Sequence, residues 1–127
     1  MTTAIDSVAT CFFAAIAAGD ITSVDRLYAA DAQVWHNMSN SVQNKQENLQ
    51  VLRGLVRLGK IRYEVQERMI VGDRVAQRHV LHVQLHNGST VALPASIFLT
   101  IKNGQVTHID EYLDSAHSNA LVQAAGR

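Results

Sequence analysis

Glu111 alternates with Ile109 and Leu113, so a strand through this segment sets one carboxylate on an otherwise apolar face. A carboxylate in such surroundings needs a partner or a raised pKa, and either state suits general acid–base work. Two structural outcomes stand beside that reading: an ion pair between Glu111 and Arg78, or a register that turns Glu111 to solvent and Asp110 and Tyr112 inward. Trp35, His36 and Asn37 are consecutive, and one of the first two must face inward on a short strand. An inward Trp is wall or core, whereas an inward His36 carries protons near neutrality. His79, His82 and His86 suggest a metal at first sight. On a strand, however, His82 and His86 share one face and His79 does not, and no carboxylate lies at ligand spacing beside them. No metal is expected. Glu67 interrupts the alternation of Tyr63, Val65 and Met69; a bulge that turns it outward explains this more simply than a second inward carboxylate.

The elements that must position these groups are readable from period and punctuation. Ile5, Val8, Ala9, Phe12 and Ile16 recur at helical spacing up to Gly19, and Asp20 caps a short second helix with Ile21, Val24, Leu27 and Tyr28. Gln33 to Met38 reads as a short strand and Ser39 to Gln43 as a polar connection. A third helix starts at Asn44, with Glu47 completing a capping box, and ends at Gly59. From Lys60 the period becomes two. Strands run to Gly72-Asp73, from Arg74 to His86, from Thr90 to Lys102 and from Gln105 to Leu113, with Asn87-Gly88 and Asn103-Gly104 as turns. Pro94 implies an edge, a bulge or a bend. Asp114 to Arg127 is a polar tail with at most a terminal helical turn. Helices first and an antiparallel meander after is an α+β layout, and strands this long must twist and curve.

Arg78 is ambiguous in this frame. Its face of the second long strand carries Ala76, Val80, His82 and Gln84, and the opposite face carries Leu81, Val83 and Leu85. If the second set is core, Arg78 is a surface residue; if not, the leucines and valine form an outer apolar patch of the kind that dimers bury.

The chain has 127 residues, 47% of them hydrophobic and 17% charged, which is one globular domain spanning residues 1–127. Eleven basic and eleven acidic residues cancel, so no nucleic-acid partner is expected. The cluster Arg53, Arg57, Lys60 and Arg62 reads as a solvated face at a helix end. The single Cys11, inside an apolar helical pattern, excludes an internal disulfide and reads as a buried, inert thiol. No apolar run is long enough for a membrane span. Val8 to Ala18 has the apolar character of a signal peptide, but its preceding flank holds Asp6 and no Lys or Arg, so a cytoplasmic protein is expected. Neither a phosphate-cradling glycine loop nor a metal cluster is present, and no cofactor is implied.

The "AAGD" between the first helices, the "AADAQVWHNM" entering the first strand and the closing "GQVTHIDEYLD" resemble the SnoaL-like branch of the nuclear transport factor 2-like superfamily over nearly the whole chain. The resemblance implies a cone-shaped, curved antiparallel sheet with three N-terminal helices over its concave face, a cystatin-like α+β barrel. That cone hosts ketosteroid isomerases, limonene-epoxide hydrolases, polyketide cyclases and non-catalytic adaptors, so the fold does not choose the chemistry. Against the isomerases, Phe12 stands where a tyrosine belongs, His36 at the base position and Ser96 or Ile97 at the second acid, which argues against that activity. Against the epoxide hydrolases, Trp35 and Asn37 take the tyrosine and asparagine places, Arg78 the arginine and Glu111 the base, while Val80 replaces the acid and His82 is its substitute. This alignment places Arg78 inside. For a cyclase, Glu111 or Asp110 would serve.

Together these readings predict a small, mostly apolar ligand held in the cone. The polar contacts would be Trp35, His36, Asn37, Arg78, His82 and Glu111, and the walls Tyr28, Tyr63, Leu93, Ile97 and Leu113. Water activation by Glu111 and Asn37 is the specific enzymatic expectation, in a homodimer formed through the outer sheet face. The rival is a non-catalytic dimeric interaction module of the same fold.

Overall fold

The computed structural model describes residues 3–126. Helix α1 (Ala4–Ala17) starts at Thr3, whose hydroxyl accepts from the Asp6 amide, and buries Ala9, Phe12, Phe13 and Ile16 along one stripe. Cys11 lies off that stripe and is exposed, contrary to expectation. Asp20 caps α2 (Ile21–Leu27), and Asn44 caps α3 (Lys45–Arg57) in a reciprocal box with Glu47.

Six strands form one sheet in the order β2-β1-β6-β5-β4-β3. They are β1 (Tyr28–His36), β2 (Ser41–Asn44), β3 (Gly59–Val71), β4 (Arg74–Leu85), β5 (Thr90–Lys102) and β6 (Gln105–Leu113). The last four make an antiparallel meander, as the alternation requires, but β1 joins β6 in parallel, and β2 turns back on β1 through the stretch expected to be a loop. The sheet is curved and open rather than a closed barrel, because β2 and β3 are its unpaired edges. A fourth helix, α4 (Ser115–Ala125), replaces the expected tail. Asp114 caps it, and Leu121 packs on Val83, Leu85 and Leu93.

Two local devices shape the sheet. Asn103 (φ 54°) and Gly104 (φ 75°) both take the left-handed conformation of a tight two-residue hairpin. At Gly59 (φ 156°), where α3 passes into β3, a Cβ would sit 1.9 Å from the Gln84 carbonyl oxygen, so only glycine admits this approach. Pro94 pairs with Val80 in an interior strand, at a point where β6 has already ended, so β5 is locally an edge.

The bulge foreseen at Glu67 exists, between Val65 and Glu67 of β3, and it inverts the side-chain parity of the strand. Beyond it Met69 and Val71 are exposed, and Arg68 and Ile70 turn toward the helices. The main core lies between the concave face and α1–α3, around Phe12, Tyr28, Leu49, Leu99 and Ile101.

Candidate functional site

Helices and concave face enclose a cavity of about 340 Å³, at the small end of ligand-site volumes. Its walls are mostly apolar, with Phe12, Phe13, Ile16, Leu52, Leu93 and Ile97 among them. Glu111 is the only carboxylate among the described residues that line it. Parallel pairing of β1 with β6 sets His36 directly beside Glu111. The result is a His36 Nε2–Glu111 Oε1 contact of 3.0 Å, with the side chains 17% and 20% exposed. The two side chains thus form a close imidazole–carboxylate contact at the cavity wall.

Three polar residues are buried among those described: Asn48, Gln77 and His79. Each is hydrogen-bonded, as burial demands. Tyr28 donates its hydroxyl to Asn48 Oδ1 at 2.5 Å, and Asn48 Nδ2 donates to Gln43 Oε1 at 3.0 Å. Gln77 Nε2 meets His79 Nδ1 at 2.8 Å. The His79 ring lines the cavity, edge-on to Phe13 and Tyr63 with centroids 5.6 and 5.0 Å away.

Burial pushes the phenols of Tyr28 and Tyr63 far above the usual tyrosine range, and the charge of Glu111 pushes further in the same direction. Both therefore stay protonated. Burial also holds His79 below the ordinary histidine value; Glu111 opposes that shift and Arg68 adds to it. The Glu111 charge thus acts on all three rings, and the cavity offers one carboxylate facing neutral donors.

The expected site residues divide between two faces. His36, Glu111, Tyr28, Tyr63, Leu93, Ile97 and Leu113 line the cavity. Trp35, Asn37, Arg78 and His82 do not. Trp35 lies on the outer face, edge-on to Tyr112 at 5.2 Å, because Val34 and His36 on either side point in. Asn37 is spent on the backbone of Leu113, donating to its carbonyl at 3.0 Å and accepting from its amide at 2.9 Å, so it cannot hold a water for Glu111. Arg78 is outside, bound to Glu67 and Gln66, and His82 is outside beside Glu64 at 2.7 Å. Leu81, Val83 and Leu85 are on the inner side, so the expected outer patch does not exist there. Asp110 is on the outer face with His108.

Gln77 was missed, and His79 was weighed only as a metal ligand. The signal was present: Leu85, Val83 and Leu81 counted back in twos reach both. Among the described residues no three or more His, Cys, Asp or Glu side chains converge as they would to hold a metal ion. No helix among them is long and apolar enough to cross a membrane.

The sequence profile of the SnoaL-like domain matches residues 9–109. A search of curated proteins finds no significant match. Among solved structures, a Shewanella putrefaciens CN-32 protein assigned by likeness to the SnoaL-like polyketide cyclases superposes with a TM-score of 0.82 at 15% identity, over 98% of this chain and 99% of that one. An epoxide hydrolase of M. tuberculosis, resembling the limonene-epoxide type, gives 0.79 at 15% identity, over 98% and 92%. TerC, co-crystallised with polyporic acid, gives 0.79 at 17% identity, over 95% and 99%. At these identities the likeness concerns the fold.

Proposed function

This chain belongs to the SnoaL-like domain family, and on that premise we propose that it catalyses cofactor-independent proton transfer on a small, mostly apolar carbonyl compound bound in the cone. One observation carries the reading: Glu111, the sole carboxylate lining the cavity among the described residues, lies 3.0 Å from His36 and faces an apolar space with protonated phenols. Glu111 takes a proton from carbon next to the carbonyl and the electron pair moves onto oxygen. The Tyr63 hydroxyl donates to that developing oxyanion. Protonated Glu111 then returns the proton to another carbon, an isomerisation, or to the alkoxide formed when the enolate carbon adds to a second carbonyl, a cyclisation. Water activation by Glu111 with Asn37 and Arg78 loses its support, since both partners are engaged away from the cavity. That TerC, of similar fold, was co-crystallised with polyporic acid is in keeping with an organic ligand for this chain.

Titration of the 15N-labelled protein with 2-tetralone, an apolar bicyclic ketone, tests the site. Amide shifts concentrated on Tyr63, Ile97 and Glu111, preserved in Glu111→Gln, are expected. Shifts confined to the outer face contradict the reading.

A second proposal concerns assembly. On the outer face, Val42, Trp35, Asp110, Phe98, Ala76 and Met69 pair in one row across all six strands, with Tyr112 against both Trp35 and Phe98. A second copy of the chain covers this row in our reading, as a self-complementary patch on a two-fold axis does. Phe98→Glu should convert a dimer to a monomer in sedimentation. A wild-type monomer at high concentration rejects the proposal.

A further inference from the structure

We propose that His79 is a second hydrogen-bond donor to the reacting oxygen, and that Gln77, clamped by Arg68, is the positioning residue that keeps its proton on Nε2. The proposal rests on the proton-transfer reading of the cavity. Arg68 can only donate, so its Nε, 2.8 Å from the Gln77 side chain, fixes the amide oxygen on that side. The amide nitrogen of Gln77 therefore faces His79 and donates to Nδ1 at 2.8 Å. Nδ1 is then the acceptor, and the single proton of a neutral imidazole must sit on Nε2. Arg68 is itself held from α1, with NH1 2.8 Å from Asp6 Oδ1 and 2.7 Å from Thr10 Oγ1.

The arrangement depends on the β3 bulge. Were the same residues paired without the bulge, Arg68 would point outward and Gln77 would lack its fixed partner. Nε2 has no hydrogen-bond partner among the described residues, yet it is not among the sealed, unpaired atoms, of which His117 Nδ1 is the one found. The ring lines the cavity, and we place the open side of Nε2 there. The groups facing His79 are Tyr63 and Arg68 from β3, Glu111 from β6 and Phe13 from α1. Burial and Arg68 outweigh Glu111 and favour the neutral ring, which is the form that can donate through Nε2 without carrying a charge into the apolar space.

Long-range 1H–15N correlation of 15N-histidine-labelled protein at neutral pH reads the tautomer directly. Wild type should show an unprotonated Nδ1 and a protonated Nε2 at His79; a protonated Nδ1 overturns the proposal. Gln77→Glu offers a carboxylate to both Arg68 and His79 and should move the proton to Nδ1. Hydrogen exchange at the α-carbon of 2-tetralone should then fall about 100-fold, the usual cost of one oxyanion donor, with KM little changed. An inverted tautomer with unchanged exchange removes His79 from the reaction. Arg68→Met, nearer the surface, covers the case in which Gln77→Glu fails to fold: it should yield both tautomers, and a single Nε2–H form rejects the clamp. If instead Glu111→Gln leaves exchange intact while the wild-type tautomer is as described, the proton-transfer reading fails and the Gln77 clamp stands.

Discussion

The sheet carries two histidine–glutamate pairs of similar length, one on each face. His36 and Glu111 meet at 3.0 Å with side chains 17% and 20% exposed, and His82 and Glu64 meet at 2.7 Å with side chains 33% and 50% exposed. The inner pair stands beside a cavity, and its carboxylate perturbs Tyr28, Tyr63 and His79. The outer pair sits in a wet face with Arg78 and Glu67 as neighbours on the same strands. Distance alone does not make a site; dielectric and what lies within reach of the charge do.

The largest break in this comparison should come from Glu111→Gln, which removes the base but keeps the shape. Proton transfer should fall by about 10²–10⁴-fold, with unfolding by urea close to wild type. Next, Tyr28→Phe strands the Asn48 oxygen in the buried network and should cost about 1–3 kcal/mol in urea unfolding. A pH effect comes third. His79 has its folded pKa depressed by burial, so the unfolded chain takes up the proton first and stability falls as pH drops below about 6.5. The slope is at most about 1.4 kcal/mol per pH unit until the folded group protonates, and it should vanish in His79→Asn. The smallest effect belongs to the outer face. His82→Ala and Arg78→Ala should each change stability by less than about 0.5 kcal/mol and leave proton transfer as it is, although the epoxide-hydrolase alignment would make both essential.

Sequence and structure agree where the signal is local. The Asn44–Glu47 box, the Asn103-Gly104 hairpin and the meander strands were legible because caps and turns act within a few residues. Glu111 and His36 stood out too, as polar groups between apolar neighbours, while alternation left Asp110 and Trp35 as alternatives for the inner face. The face of Arg78 was not. In β4, Val80 and Leu81 put apolar side chains on both faces, so alternation fixes no direction without knowing what lies across. Arg68, and with it the clamp on Gln77, was hidden by the bulge, which changes parity in mid-strand; the inward face of Gln77 and His79 follows that of Leu81, Val83 and Leu85, which alternation left open. In α4, small and polar residues hide a helix that packs mainly through Leu121.

The central claim is that the cavity carboxylate moves protons on a bound ketone. The direct measurement is deuterium incorporation at the α-carbon of 2-tetralone in D2O, followed by proton NMR with wild-type protein, with Glu111→Gln and without protein. The account predicts exchange above the buffer rate with wild type and a return to it with Glu111→Gln. Exchange at the buffer rate, by protein whose cavity amides show the ketone bound, contradicts it.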